Sequence, residues 1–233
     1  LDEIRIANTP ASFEPTLDYI VTKVARFPFD KFSDASNKLG TQMKATGEVM
    51  SIGRTMEESL LKAVRSLETG VCHIYHKKFD KWSNDDLLAY IKGGTDDRLY
   101  AIGQLIRNGV DLALIYDKTK IDMFFLEKFK NIVEFENVVR AHPMDVETLR
   151  AAKRMGFSDK YIGQLWGLSQ NEMYRLREKN NVFPVYKMID TCASEFASYV
   201  PYFYSTYEEE NESIVSGKEK IIVLGSGPIR IGQ

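Results

Sequence analysis

The sequence is poor in cysteine, with only Cys72 and Cys192 among its 233 residues. Two cysteines are too few for the disulfide framework of small secreted domains, although the two could pair with each other. The sequence also lacks an apolar run of about 18 residues, the length needed to cross a membrane, and a signal-like segment at its start. These absences lead us to expect a cytoplasmic protein that does not enter the membrane.

An excess of charge of either sign is also missing, because 31 basic side chains face 33 acidic ones and the net charge is −2. A balanced chain has no overall field that would attract nucleic acid or an anionic membrane. The composition is 44% hydrophobic and 12% aromatic, which is typical of a folded chain with one large or two smaller cores.

The pattern of apolar residues changes at one place in the chain. Residues 48–52 have the composition of a short strand, and Thr55 with Glu58 has the spacing of a capping box. An amphipathic helix should follow and end near Gly70. Beyond it, residues 83–179 have helical periodicity, so we expect a mainly α fold: a helical bundle preceded by a short α/β portion.

The longest predicted helix runs from about Lys120 to Arg140. Its apolar stripe consists of Ile121, Phe125, Phe129, Ile132 and Val133, and it is flanked by Phe124, Leu126 and Phe135. A helix that is apolar nearly all round must be covered by its own bundle or by a partner. We therefore predict that the helical part forms a homo-oligomer.

A weak internal repeat has an offset of 47 residues, and each copy predicts a short helix, a tight turn and a longer helix. The matched pairs are Gly109 with Gly156, Ile115 with Ile162, Ile121 with Leu168, Leu126 with Met173, and Phe129 with Leu176. This outline also suits a helix-turn-helix DNA-binding regulator, with candidate contacts at Gln170, Asn171, Arg175 and Arg177. Because the first copy has Phe124 and Phe125 at the matching surface, packed helical hairpins are favoured and DNA binding remains the alternative.

Few residues suggest chemistry. Cys72, His73 and His76 are close enough to ligate a metal ion, but His142 and Cys192 are scattered, so we predict no metal site. No phosphate-binding loop, catalytic triad or paired-carboxylate motif is recognisable, and we predict no catalytic residue. Residues 220–224 predict a buried strand that leads into a glycine-rich turn, without the following helix that a phosphate site needs.

Several segments carry a family resemblance. Residues 43–55, Met-Lys-Ala-Thr-Gly-Glu-Val-Met-Ser-Ile-Gly-Arg-Thr, resemble the run that closes an ATP-grasp domain in the large chain of carbamoyl phosphate synthase. Residues 9–15 and 19–27 resemble the preceding part of that domain, and residues 184–196 and 204–210 resemble the link to the enzyme's second half. The loop before Thr9 looks shorter than the family's. The chain is expected to be an excised piece of a longer protein.

The resemblance implies three regions: residues 1–70 as the C-terminal part of the first ATP-grasp domain, 71–217 as a helical oligomerisation domain, and 218–233 as the first strand and glycine-rich loop of the second half. It implies a ligase that uses two ATP, bicarbonate and glutamine-derived ammonia to make carbamoyl phosphate for arginine and pyrimidine biosynthesis. Mg²⁺ or Mn²⁺ and K⁺ would assist, and a glutaminase small chain would be a partner. By the same resemblance Thr41 approaches ATP, with an ordinary loop threonine as the alternative, while the rest of the catalytic machinery lies outside this non-catalytic segment.

Overall fold

The structure is a computed structural model that describes residues 4–6, 9–32, 34–198, 200–225 and 229–230. Helices dominate this part of the chain, which confirms the mainly α prediction. They are α1 (Met56–Ser66), α2 (Asn84–Ile91), α3 (Arg98–Arg107), α4 (Leu112–Thr119), α5 (Met123–Ala141), α6 (Val146–Arg154), α7 (Asp159–Trp166) and α8 (Gln170–Lys179). None of the described helices is both long and apolar enough to span a bilayer.

The strands are short and pair antiparallel. They are β1 (Arg5–Ile6), β2 (Thr9–Pro10), β3 (Ile20–Arg26), β4 (Gly47–Gly53), β5 (Val185–Met188), β6 (Phe203–Thr206) and β7 (Ile229–Arg230). Three sheets result, with strand orders β1-β2, β3-β4-β7 and β5-β6. The predicted strand at residues 48–52 is confirmed as β4, and its partner β3 pairs Ile20 with Gly53 and Arg26 with Gly47.

Helix α1 begins as the sequence predicts and ends earlier than expected. The hydroxyl of Thr55 accepts a hydrogen bond from the amide of Glu58. The Glu58 carboxylate accepts one from the amide of Arg54, whereas a capping box would use the amide of Thr55. The helix ends at Ser66, and Glu68 adopts a left-handed backbone with φ of 54°. The prediction that the helix reaches Gly70 was therefore wrong by about one turn.

Two hydrophobic cores meet at α1. Leu60, Leu61 and Val64 belong to the large core of the helical part, whose other fully buried side chains include Ile74, Phe79, Leu87, Ile91, Ile102, Leu105, Ile115, Leu126, Ile132 and Leu149. Ala63 and Leu67 on the same helix pack with Val49 of β4 in a small second core. Because one helix supplies both cores, the small sheet and the bundle are joined by apolar packing.

The 47-residue repeat is present in the backbone. Gly109 and Gly156 follow the ends of α3 and α6 with φ of 78° and 92°, and the residue after each glycine donates its amide back to the preceding helix. Paired helix caps and left-handed turns follow: Asp111 with Ser158, Lys120 with Gly167, and Asp122 with Ser169. We call residues 109–129 the first repeat and residues 156–176 the second.

The end of the described chain differs from the prediction. Residues 220–224 form no strand, and Ile221, Ile222, Val223 and Leu224 are each more than four-fifths exposed. A strand of the buried type needs neighbours on both faces, and the described residues supply none there. The paired strand is β7 instead, while the remainder of the glycine-rich turn, at 226–228 and 231–233, lies outside the described residues, as do residues 1–3 and 7–8 of the loop before Thr9.

Candidate functional site

The surface of α5 carries aromatic side chains that its bundle does not cover. Leu126, Phe129 and Ile132 face the core, whereas the side chains of Phe124 and Phe125 are 51% and 41% exposed. We predicted Phe125 within the buried stripe and Leu126 beside it, and the structure reverses the two. Leu126 shares the buried face of the helix with Phe129, Ile132 and Val133. Phe125 lies about 100° from Leu126 around the helix axis, and in this first turn the bundle covers the side of Leu126 and leaves that of Phe125 partly exposed.

Helix α4 adds two more exposed apolar side chains next to this turn. Its Ile115 is fully buried, while Leu114 and Tyr116 are 40% and 42% exposed. The rings of Phe124 and Phe125 meet nearly perpendicular, with centroids 5.3 Å apart. We call Leu114, Tyr116, Phe124 and Phe125 the α4–α5 corner.

The second repeat has no such corner. The positions equivalent to Leu114, Tyr116, Phe124 and Phe125 are Tyr161, Gly163, Asn171 and Glu172. Tyr161 is 5% exposed, and a side chain at Gly163 would place its Cβ 2.5 Å from the carbonyl oxygen of Leu168. Asn171 and Glu172 are exposed but polar, and Glu172 closes a capping box with Ser169. The same hairpin backbone therefore exposes apolar side chains in the first repeat. In the second repeat the equivalent positions are buried, lack a side chain or are polar.

A buried ion cluster, with one member inside the second repeat and two beside it, lies there instead. The Asp159 carboxylate forms ion pairs with Lys153 Nζ and Arg177 Nη2, each at 2.8 Å. Burial lowers the pKa of Lys153 to about 8. One repeat earlier, Ile106 and Leu112 occupy the positions of Lys153 and Asp159 and pack against the core. A charged residue at a repeat position that is apolar in the other copy was the signal that could have revealed this cluster.

A second buried network surrounds His73, which we had considered as a metal ligand. His73 Nε2 lies 2.9 Å from Glu136 Oε1, and Arg107 Nε donates to Glu136 Oε2 at 2.8 Å. The His73 ring stacks on Tyr161 with centroids 3.8 Å apart. Burial lowers the pKa of His73 to about 4, and hydrogen bonds from His73 and Arg107 hold the pKa of Glu136 at about 2. His73 is therefore a neutral core histidine that bonds to a charged carboxylate.

The other proposed ligands do not join it. The Nδ1 atom of His76 accepts a hydrogen bond from the amide of Lys78. Cys72 and Cys192 are free thiols. Among the described residues, no group of three or more histidine, cysteine, aspartate or glutamate side chains is arranged to hold a metal ion.

Thr41, the predicted ATP contact, is exposed in the loop before β4. The nearby Lys44 ammonium donates to the carbonyls of Ser36 and Lys38, at 2.8 and 2.6 Å, and is therefore engaged by the loop itself. The described residues around Thr41 do not form a phosphate clamp by themselves, and its approach to ATP stays a prediction.

The candidate recognition helix of the DNA-binding alternative, α8, offers little to a phosphate backbone. Arg177 is 8% exposed and bonded to Asp159, which leaves Arg175 as the exposed arginine of that helix. The matching helix of the first repeat, α5, begins with two exposed phenylalanines. No contact or charge pattern in these helices favours the regulator.

The fold is a helical bundle that α1 joins to a small antiparallel sheet. A family model described as the carbamoyl-phosphate synthetase large chain, oligomerisation domain, matches residues 48–181. This match spans more than half of the chain, so the chain belongs to that family. It begins in β4 and ends just after α8, and it contains both repeats.

Proposed function

We propose that the chain is the central connecting and assembly segment of a carbamoyl phosphate synthase large chain. Its regions would be 1–70 from the first ATP-grasp domain, 71–217 as the oligomerisation domain, and 218–233 as the start of the second half. The family match at 48–181 and the helical bundle that it covers support this proposal.

The whole enzyme would be a ligase that makes carbamoyl phosphate from bicarbonate, glutamine-derived ammonia and two ATP for arginine and pyrimidine biosynthesis. It would use Mg²⁺ or Mn²⁺ and K⁺, and a glutaminase small chain would supply ammonia. The segment itself would be non-catalytic, since Glu136 and Asp159, two largely buried carboxylates with lowered pKa values, are bonded to protein cations. An assay of phosphate release from ATP with the isolated segment tests this: we expect no turnover above background, and sustained turnover would refute it.

Assembly would proceed through the α4–α5 corner, with a second copy of the chain as the partner. The observation that carries this proposal is the exposure of Phe124 and Phe125 at positions where the second repeat has Asn171 and Glu172. Exposed aromatic side chains on adjoining helices are enriched in protein interfaces. A stable symmetric pair would bury about 1,200–2,000 Å² in total, so residues around the corner would also contribute.

Sedimentation equilibrium of the 233-residue chain at tens of micromolar tests the pairing. We expect a concentration-dependent mass above the 26.7 kDa of one chain. Phe124→Ser should shift the equilibrium toward monomer, because it removes a large apolar contact. The matched control is Phe183→Ser, which changes a phenylalanine that is 47% exposed outside the corner and should leave association unchanged. A monomer at all concentrations, or equal effects of both variants, would contradict the proposal.

A further inference from the structure

A cavity of about 510 Å³ lies where α1, the start of α7 and the residues around β6 meet, away from the α4–α5 corner. Its charged lining residues are Glu58, Lys62, Arg65, Glu68, Lys153, Asp159 and Lys160. Small-molecule sites in proteins commonly enclose about 300–1,000 Å³ and use a few converging polar groups. The dimensions and the charged lining therefore suit a small polar ligand.

The two most buried carboxylates of the lining already have cationic partners. Glu58 Oε1 lies 2.8 Å from Lys62 Nζ, while its Oε2 accepts the amide of Arg54 at 2.7 Å. Asp159 is held by Lys153 and Arg177 in the ion cluster of the second repeat. Both carboxylates raise the pKa of Arg65 against the larger effect of burial, but among the described residues neither forms an ion pair with its guanidinium.

Arg65 and Lys160 are the lining cations that form no ion pair with a carboxylate among the described residues. The Nη1 atom of Arg65 donates to the carbonyl of Gly156, and within the described part of the chain no carboxylate oxygen lies within 4.0 Å of its guanidinium. No described acceptor takes a hydrogen bond from its Nε or Nη2 atoms. Burial lowers the pKa of Arg65 and of Lys153. The Asp159 carboxylate opposes this effect on Lys153, while the positive charges of Arg177 and Arg65 add to it. The four cations of the lining outnumber its three carboxylates by one, a difference that a bound anion would balance.

We propose that this cavity binds a small phosphate-bearing anion, with the Arg65 guanidinium as its principal donor and the exposed Lys160 ammonium at its rim. The planar fork of an arginine matches two oxygens of a phosphate group, and charge-assisted hydrogen bonds of this kind are stronger than neutral ones. The proposal does not depend on self-association, since it uses neither Phe124 nor Phe125.

Calorimetric titration of the 233-residue chain with inorganic phosphate and diphosphate, at an ionic strength held constant with sodium chloride, tests the site. We expect saturable binding, tighter for diphosphate because it offers more charge and more acceptors. Arg65→Gln should weaken diphosphate binding at least about tenfold, since it removes the charged hydrogen bonds. Lys160→Gln should weaken it about threefold, as expected for an exposed charge.

The control is Arg175→Gln, which removes an exposed arginine outside the lining and should leave the affinity unchanged. If Arg65→Gln does not fold, Lys160→Gln decides the question, because Lys160 is exposed on the surface. Absence of saturable binding, equal weakening by Arg175→Gln, or an affinity that Lys160→Gln leaves unchanged would overturn the proposal.

Discussion

The two repeats share one backbone and differ in what they do with it. Both enter a short helix after a glycine of positive φ, leave it through a left-handed residue, and start the next helix at a side-chain cap. The first repeat then exposes Phe124 and Phe125, while the second buries the ion cluster of Lys153, Asp159 and Arg177. Caps and glycines thus fix the hairpin, and the remaining side chains decide whether it exposes apolar rings or packs around a buried ion cluster.

The largest expected effect concerns the ion cluster, in which Lys153 and Asp159 stand where the first copy has the apolar Ile106 and Leu112. Asp159→Asn leaves two buried cations without a carboxylate, and the free energy of unfolding should fall by about 3–5 kcal/mol. Replacing the whole cluster with apolar side chains, as Lys153→Ile, Asp159→Leu and Arg177→Met, should change it by only about 1 kcal/mol, because no unpaired charge remains. Urea unfolding of both variants measures the difference; a triple variant less stable than Asp159→Asn would show that the cluster stabilises the fold outright.

The paired glycines give the next effect. A Cβ at Gly156 would lie 2.8 Å from the Cα of Glu58 in α1, whereas one at Gly109 would meet no atom within 4 Å. Gly156→Ala should therefore cost about 3 kcal/mol from overpacking and strain, while Gly109→Ala should cost about 1 kcal/mol from its positive φ alone. Equal losses in urea unfolding would mean that contact with α1 does not distinguish the two copies.

Acid should destabilise the fold through the buried network of His73 and Glu136. The pKa of His73 falls from 6.5 to about 4 on folding, so the unfolded chain binds the proton more tightly. The stabilisation is complete above pH 6.5 and is lost as the pH falls toward 4, which amounts to about 2 kcal/mol between pH 7 and 5. The lowered pKa of Glu136 adds a loss of the same sign at still lower pH.

The control for this acid effect is His73→Asn. This variant should be less stable at pH 7 but should lose less stability between pH 7 and 5, as chemical unfolding at each pH would report. An unchanged pH dependence would exclude His73 as the titrating group.

The smallest effect lies at the left-handed turns. Lys120 has φ of 56° where the second repeat has Gly167 with φ of 72°. Lys120→Gly should stabilise the fold by about 0.5–1 kcal/mol by relieving the left-handed lysine, and Gly167→Ala should destabilise it by about 1 kcal/mol. Thermal unfolding should move in opposite directions for the two variants, and a shift of the same sign in both would argue against an equivalent role.

Sequence patterns predicted the parts of the fold that local chemistry controls. The capping residue Thr55, the strand at 48–52 and the repeat glycines were all recognisable, because caps and turns depend on neighbours in the chain. The burial order on α5 was not, because periodicity gives a broad apolar arc but not which part of that arc the bundle contacts. Phe125 therefore emerged exposed and Leu126 buried.

Contacts between residues far apart in the chain could not be predicted from sequence patterns either. His73 and Glu136 are 63 residues apart, and no motif links a histidine to a carboxylate at that separation. The strand predicted at 220–224 was wrong for a related reason: an apolar run favours burial but does not supply the surface that buries it. The cavity beside Arg65 was not predictable either, because three separate parts of the chain line it and the nearby carboxylates pair with other cations.

The central claim is that the first repeat is an assembly surface because of side chains that the second repeat lacks. The most direct test gives the first repeat the polar pair of the second, as Phe124→Asn with Phe125→Glu, and measures mass by sedimentation equilibrium. We predict a single species of 26.7 kDa with unfolding close to that of the parent chain, while the parent forms a species of twice the mass. A variant that associates as strongly as the parent chain would contradict the claim.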